Sequence, residues 1–290
     1  MSDTAASPGH ARRGRTAGGD GGQGTSRRMT TAVIVQARMA STRLPGKVML
    51  QAAGRTFLDW CLTRCLAIPD VDVVCCATVD RPDCDELAAE AARIGAHVYR
   101  GDQTDVLGRY LAAAREIGAD VVLRVTSDCP LVEPALCAEV LSVRKRLGVE
   151  YACNNMPSSW PHGLDCEAFT MDALAAAAAI ADSDEEHEHV TPGLRTRSEF
   201  SRACVAGPGG DWERLRLTLD TDADLVFLRE LLAVLPTADA TLAEVGQCLT
   251  ARPDLLAAGL HPAGQCRVQA AAETVVPAAV AASLPELQPI

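Results

Sequence analysis

Three basic residues, Arg38, Arg43 and Lys47, lie in the segment that follows a short apolar run at 33–35. Small residues separate these cations, and small side chains let backbone N–H groups approach a ligand closely. Pro45-Gly46 predicts a turn between the second and the third cation. A loop with fixed positive charge and exposed amides after a first strand suits a polyanion such as a nucleoside triphosphate.

The alternative for this segment is a basic surface loop that binds nothing. The segment does not match the two common phosphate-binding motifs, so these motifs do not decide between a binding loop and a surface loop. The segment is not a Walker loop, because no glycine lies five residues before Gly46 and neither Ser nor Thr follows Lys47. It also contains no dinucleotide-binding fingerprint.

A second residue that could take part in chemistry is Asp128, which follows an apolar run and precedes Cys129-Pro130. An aspartate at this place is typical of a turn or a helix cap. The alternative is a ligand for Mg²⁺, a hard cation that takes one or two carboxylates together with phosphate oxygens and water.

The elements that must position these residues alternate along the first half of the chain. Apolar patterns predict alternating strands and helices, and each strand with its following helix takes about 20 to 30 residues. This alternation is typical of a doubly wound, mostly parallel α/β sheet. The predicted strands are 33–35, 71–78, 97–100 and 120–125, and the predicted helices are 57–66, 87–94 and 106–117. Asp80 is predicted to cap the second of these helices.

The second half is less regular. Its predicted strands are 150–155, 202–206 and 214–219, and its predicted helices are 171–181, 222–235 and 242–250. In a doubly wound sheet, ligands bind beyond the carboxyl ends of the strands. The segments 38–47, 78–80 and 126–130 all leave strands at that edge, so we expect them to form one site.

Composition limits the possible partners. The net charge of −11 argues against general nucleic-acid binding and makes the local cations of the first loop stand out. No run of eighteen apolar residues occurs, so we expect no membrane span. The twelve cysteines include no C-x-x-C pair and lie in apolar runs, which favours buried, reduced thiols and a cytoplasmic location.

The chain is predicted to consist of three parts. Residues 1–29 lack an apolar core for export and are predicted to be a disordered leader. Residues 30–260 form the predicted catalytic domain, and residues 261–290 are predicted to be a loose tail.

The first loop also resembles a known family. The run A-R-x-x-S-T-R-L-P-G-K, from Ala37 to Lys47, is similar to the nucleotide-binding signature of the CMP-sugar synthetases and the SpsF-like cytidylyltransferases. The resemblance extends over about 31–260. It implies a nucleotide-diphospho-sugar transferase-like (GT-A type) fold with a smaller acceptor-side subregion. It also implies transfer of CMP from CTP to a sugar or acid-sugar acceptor, with release of pyrophosphate.

The resemblance assigns roles to the charged residues. R-V-T-S-D-C-P-L-V is similar to the family segment that supplies a metal-binding aspartate, here Asp128. The L-T-L-D-T-D-A-D-L segment is similar to a second one, here with Asp220 as the matching carboxylate, although Asp222-Ala223 replaces Pro-Glu. Asp128 and Asp220 are therefore predicted to hold Mg²⁺. Arg38 and Lys47, together with Asp128, are the predicted catalytic residues.

The nucleotide is expected to contact several further residues. Base choice is predicted at the ends of the second and third strands, and solvated helix starts are the alternative for these positions. The T-D-V-L-G-R-Y segment resembles the family's T-D-V-L-D-R-Y, with Gly108 in place of an acidic residue. The predicted nucleotide-binding residues are Ala37, Arg38, Arg43, Lys47, Thr78, Asp80, Asp105 and Arg109.

The acceptor is assigned to the second half of the chain. P-H-G-L-D-C-E-A-F resembles the family's P-x-G-L-D-V-E-x-F, which makes Gly163, Asp165 and Glu167 candidates for acceptor binding. His189, within H-V-T-P, matches another family motif and is assigned to the acceptor side. The acidic and histidine-rich run 182–189 could be a transition-metal site, but we favour a solvated helix start.

Two other functions stay open at this stage. One is a glycosyltransferase that uses a nucleotide sugar on the same type of fold, although Ser127-Asp128-Cys129 stands where such enzymes have D-x-D. The other is a sheet that binds a nucleotide without catalysis. The sequence leaves the acceptor, the preference for cytosine and the oligomeric state open, although related enzymes often form homodimers.

Overall fold

A central strand, β1 (Thr31–Gln36), lies within an eight-stranded sheet in the computed structural model, which describes residues 27–261 and 271–287. A small hairpin, β2 (Gln51–Ala52) and β3 (Arg55–Thr56), follows the first loop. The other strands are β4 (Val73–Val79), β5 (His97–Gly101), β6 (Val121–Thr126), β7 (Tyr151–Cys153), β8 (Glu167–Thr170), β9 (Arg202–Ala206) and β10 (Thr274–Pro277).

The sheet order is β10-β9-β7-β8-β6-β1-β4-β5. β1 pairs in parallel with both β4 and β6, and β8 is antiparallel to its neighbours β6 and β7. The chain therefore builds outward from β1 through β4 and β5, and then returns to the other side of β1 with β6. This reversal is the topological switch point at which doubly wound sheets bind ligands.

Both faces of the sheet are buried. Val33 and Val35 of β1 lie in one apolar cluster, and Ala32 and Ile34 lie in a second cluster on the opposite face. Strands that are buried on both sides read as continuous apolar runs, which is why β1, β4 and β6 were visible in the sequence.

Eleven helices of the described residues cover the sheet and its edges. They are α1 (Phe57–Leu66), α2 (Asp85–Ile94), α3 (Val106–Ile117), α4 (Pro134–Leu147), α5 (Met171–Ile180), α6 (Asp184–His189), α7 (Pro192–Thr196), α8 (Gly210–Arg214), α9 (Asp222–Val234), α10 (Leu242–Ala251) and α11 (Pro253–Gly259). α1 and α4 contribute to the first cluster, and α3 and α5 contribute to the second. The predicted helices in the first half and at 171–181, 222–235 and 242–250 are confirmed within one or two residues.

Two local predictions are wrong. Asp80 does not cap α2, because a short 3₁₀ helix (Pro82–Cys84) intervenes and Cys84 occupies the cap position. The segment 214–219 is not a regular strand. Within the described residues it makes isolated bridges, from Leu215 to Leu260 and from Arg216 to His162, because its N–H groups bond to loop residues such as Asp128 and not to a strand of the sheet.

The chain ends also differ from expectation where they are described. β10 pairs in parallel with β9, so 271–287 is not a loose tail. Within the predicted leader, Arg27 and Arg28 form ion pairs with Asp120 and Asp72. Residues 1–26, 262–270 and 288–290 lie outside the described part of the chain, and the domain boundaries stay a prediction.

The cysteines of the described residues are all free, and ten of these eleven thiols are buried. Burial raises the pKa of Cys75 to about 12, because the low-polarity interior disfavours the thiolate. Among the described residues, none of the helices has the length and apolar character needed to cross a membrane.

A close backbone approach fixes the position of the crossing segment. A Cβ atom added at Gly163 would lie 2.4 Å from the carbonyl carbon of Leu217 and 2.6 Å from the backbone nitrogen of Thr218. The φ angle of Gly163 is also positive, at 109°. Only glycine therefore lets the 162–163 backbone lie against the segment that leads to Asp220.

Gly163→Ala is expected to destabilise the protein more than Gly95→Ala. Gly95 has a similar φ of 103° at the end of α2, but an added Cβ would meet nothing within 4 Å. The control should lose about 1–2 kcal/mol from its backbone conformation alone. Gly163→Ala should lose roughly 1–3 kcal/mol more from overpacking. Urea unfolding of both variants measures the difference, and equal losses would show that the approach is not tight.

Candidate active site

A cavity of about 660 Å³ opens at the carboxyl ends of β1 and β6. The chain segments that follow these two strands line it from the sheet side. They are joined at their bases, because Ser127 N donates to Gln36 O at 3.1 Å. The other walls come from the start of α3, the end of α6 and the segment just before α9, with Val106, Glu188, His189 and Asp220 among the lining residues. The cavity thus lies at the switch point.

The first loop is anchored by apolar residues on both sides of its cations. Leu44 and Val48 are buried in the core on either side of Lys47, which begins a short 3₁₀ helix that ends at Met49. Gly46 has a φ of 67°, and its N–H donates to Met39 O at 3.0 Å. This left-handed turn closes the loop and fixes where the Lys47 side chain leaves the backbone.

Asp128 and Asp220, which are 92 residues apart in sequence, are brought together by backbone contacts. The carbonyl oxygen of Asp128 accepts from Leu219 N at 2.9 Å and from Thr218 Oγ1 at 3.2 Å. Thr221 then caps α9 with a reciprocal capping box to Asp224, which holds Asp220 at the helix entrance.

Lys47 lies between the two carboxylates. Its Nζ is 2.7 Å from Asp128 Oδ2 and 2.7 Å from Asp220 Oδ1. Burial would lower the pKa of Lys47, but the two carboxylates outweigh burial and raise the pKa above 10.5. Burial would likewise raise the pKa of Asp220, whereas Lys47, Arg43 and Arg216 lower it below 3.8. Lys47 and Asp220 are therefore both charged at neutral pH.

Arg216 is a site residue that the sequence reasoning missed. Its Nη2 donates to Asp220 Oδ2 at 2.8 Å, and its Nε donates to Asp224 Oδ1 at 2.8 Å. Its Nη1 lies 2.8 Å from His162 Nδ1. Arg216 therefore orients the Asp220 carboxylate from behind. The only signal in the sequence was an Arg four residues before an Asp, which is too common to single out.

The cavity concentrates positive charge in an acidic protein. Four cationic side chains line it, Arg38, Arg43, Lys47 and Arg109, against three carboxylates, Asp128, Glu188 and Asp220. Arg109 is 3% exposed. Its Nη1 donates to Asp102 O, and its Nε has no hydrogen-bond partner among the described residues. A buried guanidinium without a carboxylate partner is suited to receive an anionic or carbonyl oxygen of a ligand.

The other predicted base-binding residues do not line this cavity. Thr78 is fully buried at the end of β4, and its hydroxyl has no partner among the described residues. Asp80 is 76% exposed and faces Arg100 at 3.3 Å. Asp105 caps α3 by accepting from Gly108 N at 2.8 Å, and its Oδ1 also lies 2.9 Å from His187 Nδ1. Asp80 thus forms a surface ion pair, and Asp105 caps a helix.

Gly108, which stands where the family motif has an acidic residue, has a steric explanation. A Cβ atom at this position would lie 2.0 Å from Asp105 Oδ2. With glycine at 108, the Asp105 carboxylate can fold over the first turn of α3. An acidic side chain at 108 would require Asp105 to adopt another position.

Of the four predicted acceptor-binding residues, one lines the cavity and three lie outside its lining. His189 lines the cavity, whereas Gly163, Asp165 and Glu167 do not. Gly163 serves the backbone approach described above, and Asp165 accepts from Asn155 Nδ2 at 3.0 Å and from Gly163 N at 3.2 Å. Glu167 is 1% exposed and is surrounded by Arg124, Arg195, Tyr151 and Thr191. A direct contact of Glu167 with an acceptor would first require this network to open.

The acidic run 182–189 contains α6, which is capped by Ser183 and begins at Asp184. Among the described residues there is no cluster of three or more His, Cys, Asp or Glu that could hold a metal ion. The helix is not only a solvated surface, however. Glu188 Oε1 lies 3.5 Å from Arg38 Nη2, and Glu186 forms an ion pair with Arg197 at 2.7 Å. The run is thus mostly exposed, as predicted, and its last two residues, Glu188 and His189, also line the cavity.

The residues present fit a hard divalent cation that is shared with a ligand. Each of the two carboxylate oxygens lies 2.7 Å from one nitrogen, so they are at most 5.4 Å apart, twice that distance. Mg²⁺ binds oxygens at about 2.0–2.1 Å and is usually held by one or two carboxylates plus phosphate oxygens. Asp128 and Asp220 supply that number and type of ligand.

Comparison with known proteins agrees with the geometry. A family model described as Cytidylyltransferase matches residues 32–200. The spore coat polysaccharide biosynthesis protein SpsF of Bacillus subtilis is 34% identical over 122 residues, covering 41% of this chain and 51% of SpsF. A 3-deoxy-manno-octulosonate cytidylyltransferase of Geobacter sulfurreducens is 32% identical over 116 residues, covering 39% and 45%. The chain thus spans about half the length of these curated relatives.

A solved structure extends the comparison to most of the fold. A cytidylyltransferase from Leptospira borgpetersenii superposes with a TM-score of 0.73 at 26% identity, covering 79% of this chain and 97% of that one. This likeness confirms the predicted fold class.

The buried Glu167 network predicts a pH dependence of stability. Burial would raise the pKa of Glu167, but Arg195 and Arg124 outweigh it and lower the pKa from 4.5 to about 2. Because the folded-state pKa is depressed, the stabilisation is complete above about pH 4.5 and is lost as the pH falls toward 2. The difference corresponds to about 3 kcal/mol.

Glu167→Gln should therefore be less stable than the wild type at pH 7, and the gap should narrow as the pH falls from 4.5 to 3. Urea unfolding at several pH values measures this gap. Glu86→Gln, on the exposed side of α2, is the matched control and should follow the wild type. A Glu167→Gln gap that is the same at pH 7 and pH 3 would contradict an ionised, paired Glu167.

Proposed function

Since the chain belongs to the cytidylyltransferase family, as its first loop predicted, we propose that it transfers CMP from CTP to a sugar or acid-sugar acceptor and releases pyrophosphate. The observation that carries the proposal is the convergence of Lys47, Asp128 and Asp220 in a cavity with three arginines. The reaction joins an acceptor oxygen to the α-phosphorus and breaks the bond from that phosphorus to the departing pyrophosphate. Catalysis of such a step rests mainly on positioning and charge stabilisation.

The residues of the cavity divide this work. Lys47, Arg38 and Arg43 hold the triphosphate, and the anchors Leu44 and Val48 keep the loop in place. Asp128 and Asp220 would hold Mg²⁺, with Arg216 orienting Asp220. When bound, Mg²⁺ neutralises charge on the phosphate oxygens. Arg109, whose pKa is lowered by burial and by the nearby Arg38, receives an oxygen of the nucleotide.

The acceptor enters beside His189 and Glu188, on the wall formed by the end of α6. The relative from Geobacter sulfurreducens is named for the acid sugar 3-deoxy-manno-octulosonate, and the one from Bacillus subtilis is named for a coat polysaccharide. These names support a sugar or acid-sugar acceptor here. The free, buried thiols agree with a cytoplasmic location, where cysteines stay reduced.

Asp128→Asn and Asp220→Asn should each lower the rate of pyrophosphate release at least about 100-fold, because each removes charge from the group that holds the metal. The assay supplies CTP, ATP, GTP or UTP with Mg²⁺ and a panel of acceptors that includes 3-deoxy-manno-octulosonate, other sugar acids and neutral sugars. Asp222→Asn, an exposed change two residues from Asp220, is the control and should keep the wild-type rate.

Release that requires both CTP and an acceptor supports the proposal. Consumption of a nucleotide sugar instead would support a glycosyltransferase. Tight CTP binding without turnover on any acceptor would support a binding protein. The family match and the Ser127-Asp128-Cys129 sequence after β6 favour the first of these outcomes.

Lys47→Met should abolish turnover and yet strengthen metal binding to the nucleotide-free protein. Lys47 occupies the same carboxylate oxygens that the metal uses, and its removal leaves two carboxylates without that cation. A unit charge about 4 Å away in a partly buried site is worth several kcal/mol, so an affinity gain of at least about tenfold is expected.

Mn²⁺, used in place of Mg²⁺, reports this affinity through the loss of its free-ion paramagnetic resonance signal. Lys145→Met, at an exposed position near the end of α4, should bind Mn²⁺ as the wild type does. If Lys47→Met bound Mn²⁺ no better than the wild type, the two carboxylates would not be the metal ligands.

A further inference from the structure

The backbone at Val190 has an unusual conformation beside the cavity. Its φ is 69° and its ψ is −49°, and Thr191 N donates to His189 O at 2.8 Å across it. This is a γ-turn with a positive central φ, a form that is rare and strained. Three non-glycine residues of the described chain have positive φ, and Val190 is the one that is buried and β-branched. Such outliers persist only where the surroundings fix them.

Two sets of contacts fix the turn. On the α6 side, Val190 N donates to Glu186 O at 3.0 Å, and the Val190 side chain is 1% exposed in the second apolar cluster. On the other side, Thr191 is fully buried, and its Oγ1 donates to Glu167 Oε1 at 3.0 Å. Arg195 closes the arrangement, since its N donates to Thr191 O at 3.0 Å and its Nε donates to Glu167 Oε1 at 2.9 Å.

Glu167 also reaches the opposite wall of the cavity. Its Oε2 accepts from Arg124, the residue directly across from it on β6. Arg124 Nη2 in turn donates to Gln36 Oε1 at 3.2 Å, and Gln36 lines the cavity at the end of β1. One buried carboxylate is thus connected to the α6–α7 wall through one oxygen and to the end of the central strand through the other.

We propose that Glu167 and the strained turn at Val190 form a positioning device that holds His189 toward the acceptor. Glu167 does not touch the acceptor and acts through Thr191. The turn separates two neighbours with opposite surroundings, because His189 is exposed to the cavity while Thr191 is fully buried. This inference rests on the proposed function only for the identity of the ligand that His189 meets.

Thr191 offers a matched pair of variants. Thr191→Val keeps the shape of the side chain and removes the hydroxyl that bonds Glu167, whereas Thr191→Ser keeps the hydroxyl. Val190→Gly relieves the backbone strain and frees the turn to change its conformation. The readout is the imidazole nitrogen spectrum of His189 in the full-length, ¹⁵N-histidine-labelled protein, with the signal assigned by loss in His189→Gln.

In the wild type and in Thr191→Ser, His189 should give one sharp set of signals. In Thr191→Val and Val190→Gly, these signals should lose at least half of their intensity through exchange between positions, while the signals of His97, on β5, stay unchanged as the control for folding. Unchanged His189 signals in both variants would overturn the positioning role. The measurement needs neither CTP nor acceptor, so it can fail or succeed independently of the proposed reaction.

Steady-state kinetics then test the link to the acceptor. With CTP, Mg²⁺ and 3-deoxy-manno-octulosonate, Thr191→Val should raise the acceptor KM at least fivefold and leave the CTP KM within twofold, and Thr191→Ser should restore both. Equal rises in the two KM values would indicate a general structural defect and would overturn the inference. If the wild type shows no turnover with any acceptor, the proposed function fails, and the His189 spectra still decide the positioning role.

Discussion

The contact of one ammonium group with two carboxylates organises this active site. Lys47, Asp128 and Asp220 come from three distant parts of the chain and meet within 2.7 Å contacts. Two carboxylates this close would repel each other without a cation, since like charges in a partly buried place disfavour joint ionisation. Every other feature of the site either brings these three groups together or controls the charge around them.

The sheet brings two of these three groups, Lys47 and Asp128, together. β1 and β6 are parallel neighbours, with Gln36 beside Thr126, so the two loops that follow them begin at the same height. The third group arrives by a different route, because 215–219 is not part of the sheet and is held by the backbone of Asp128 and by the approach to Gly163. The apolar core thus fixes two of the charges, and specific backbone hydrogen bonds fix the third.

Much of this arrangement could be predicted from the sequence, for identifiable reasons. Strands that are buried on both faces appear as apolar runs, and helices such as α1 and α3 show their buried stripes, so the order of elements was readable. The loop from Ala37 to Lys47 was recognisable because its cations and its turn are contiguous. Local patterns therefore gave the sheet edge and the residues on it.

The rest depends on contacts between distant segments that leave no local pattern. Arg216 looked like any surface arginine, and no local pattern marked Glu188, on a mostly exposed helix, as a residue of the cavity. Glu167 was assigned to the acceptor, yet it lies opposite Arg124 in an antiparallel register that inserts β8 beside β6. That insertion breaks the parallel alternation on which the topology was predicted. The 271–287 segment was missed for a similar reason, since β10 is a short and mostly exposed edge strand.

The placement of the buried charges explains why an acidic protein can present a cationic cavity. Arg195 and Arg124 share the Glu167 carboxylate, and Arg216 is paired with Asp220 and Asp224, so these arginines add rigidity behind the cavity and do not line it. Among the described residues, Arg109 forms no ion pair with a carboxylate, and Arg38 and Arg43 make longer contacts, of 3.5 Å to Glu188 and 3.3 Å to Asp220. The free-energy cost of removing the Arg109 side chain from water arises when the core folds and not when a ligand binds. A bound nucleotide would therefore find in Arg109 a cation whose position is already fixed, which is the condition under which charges stabilise a transition state most effectively.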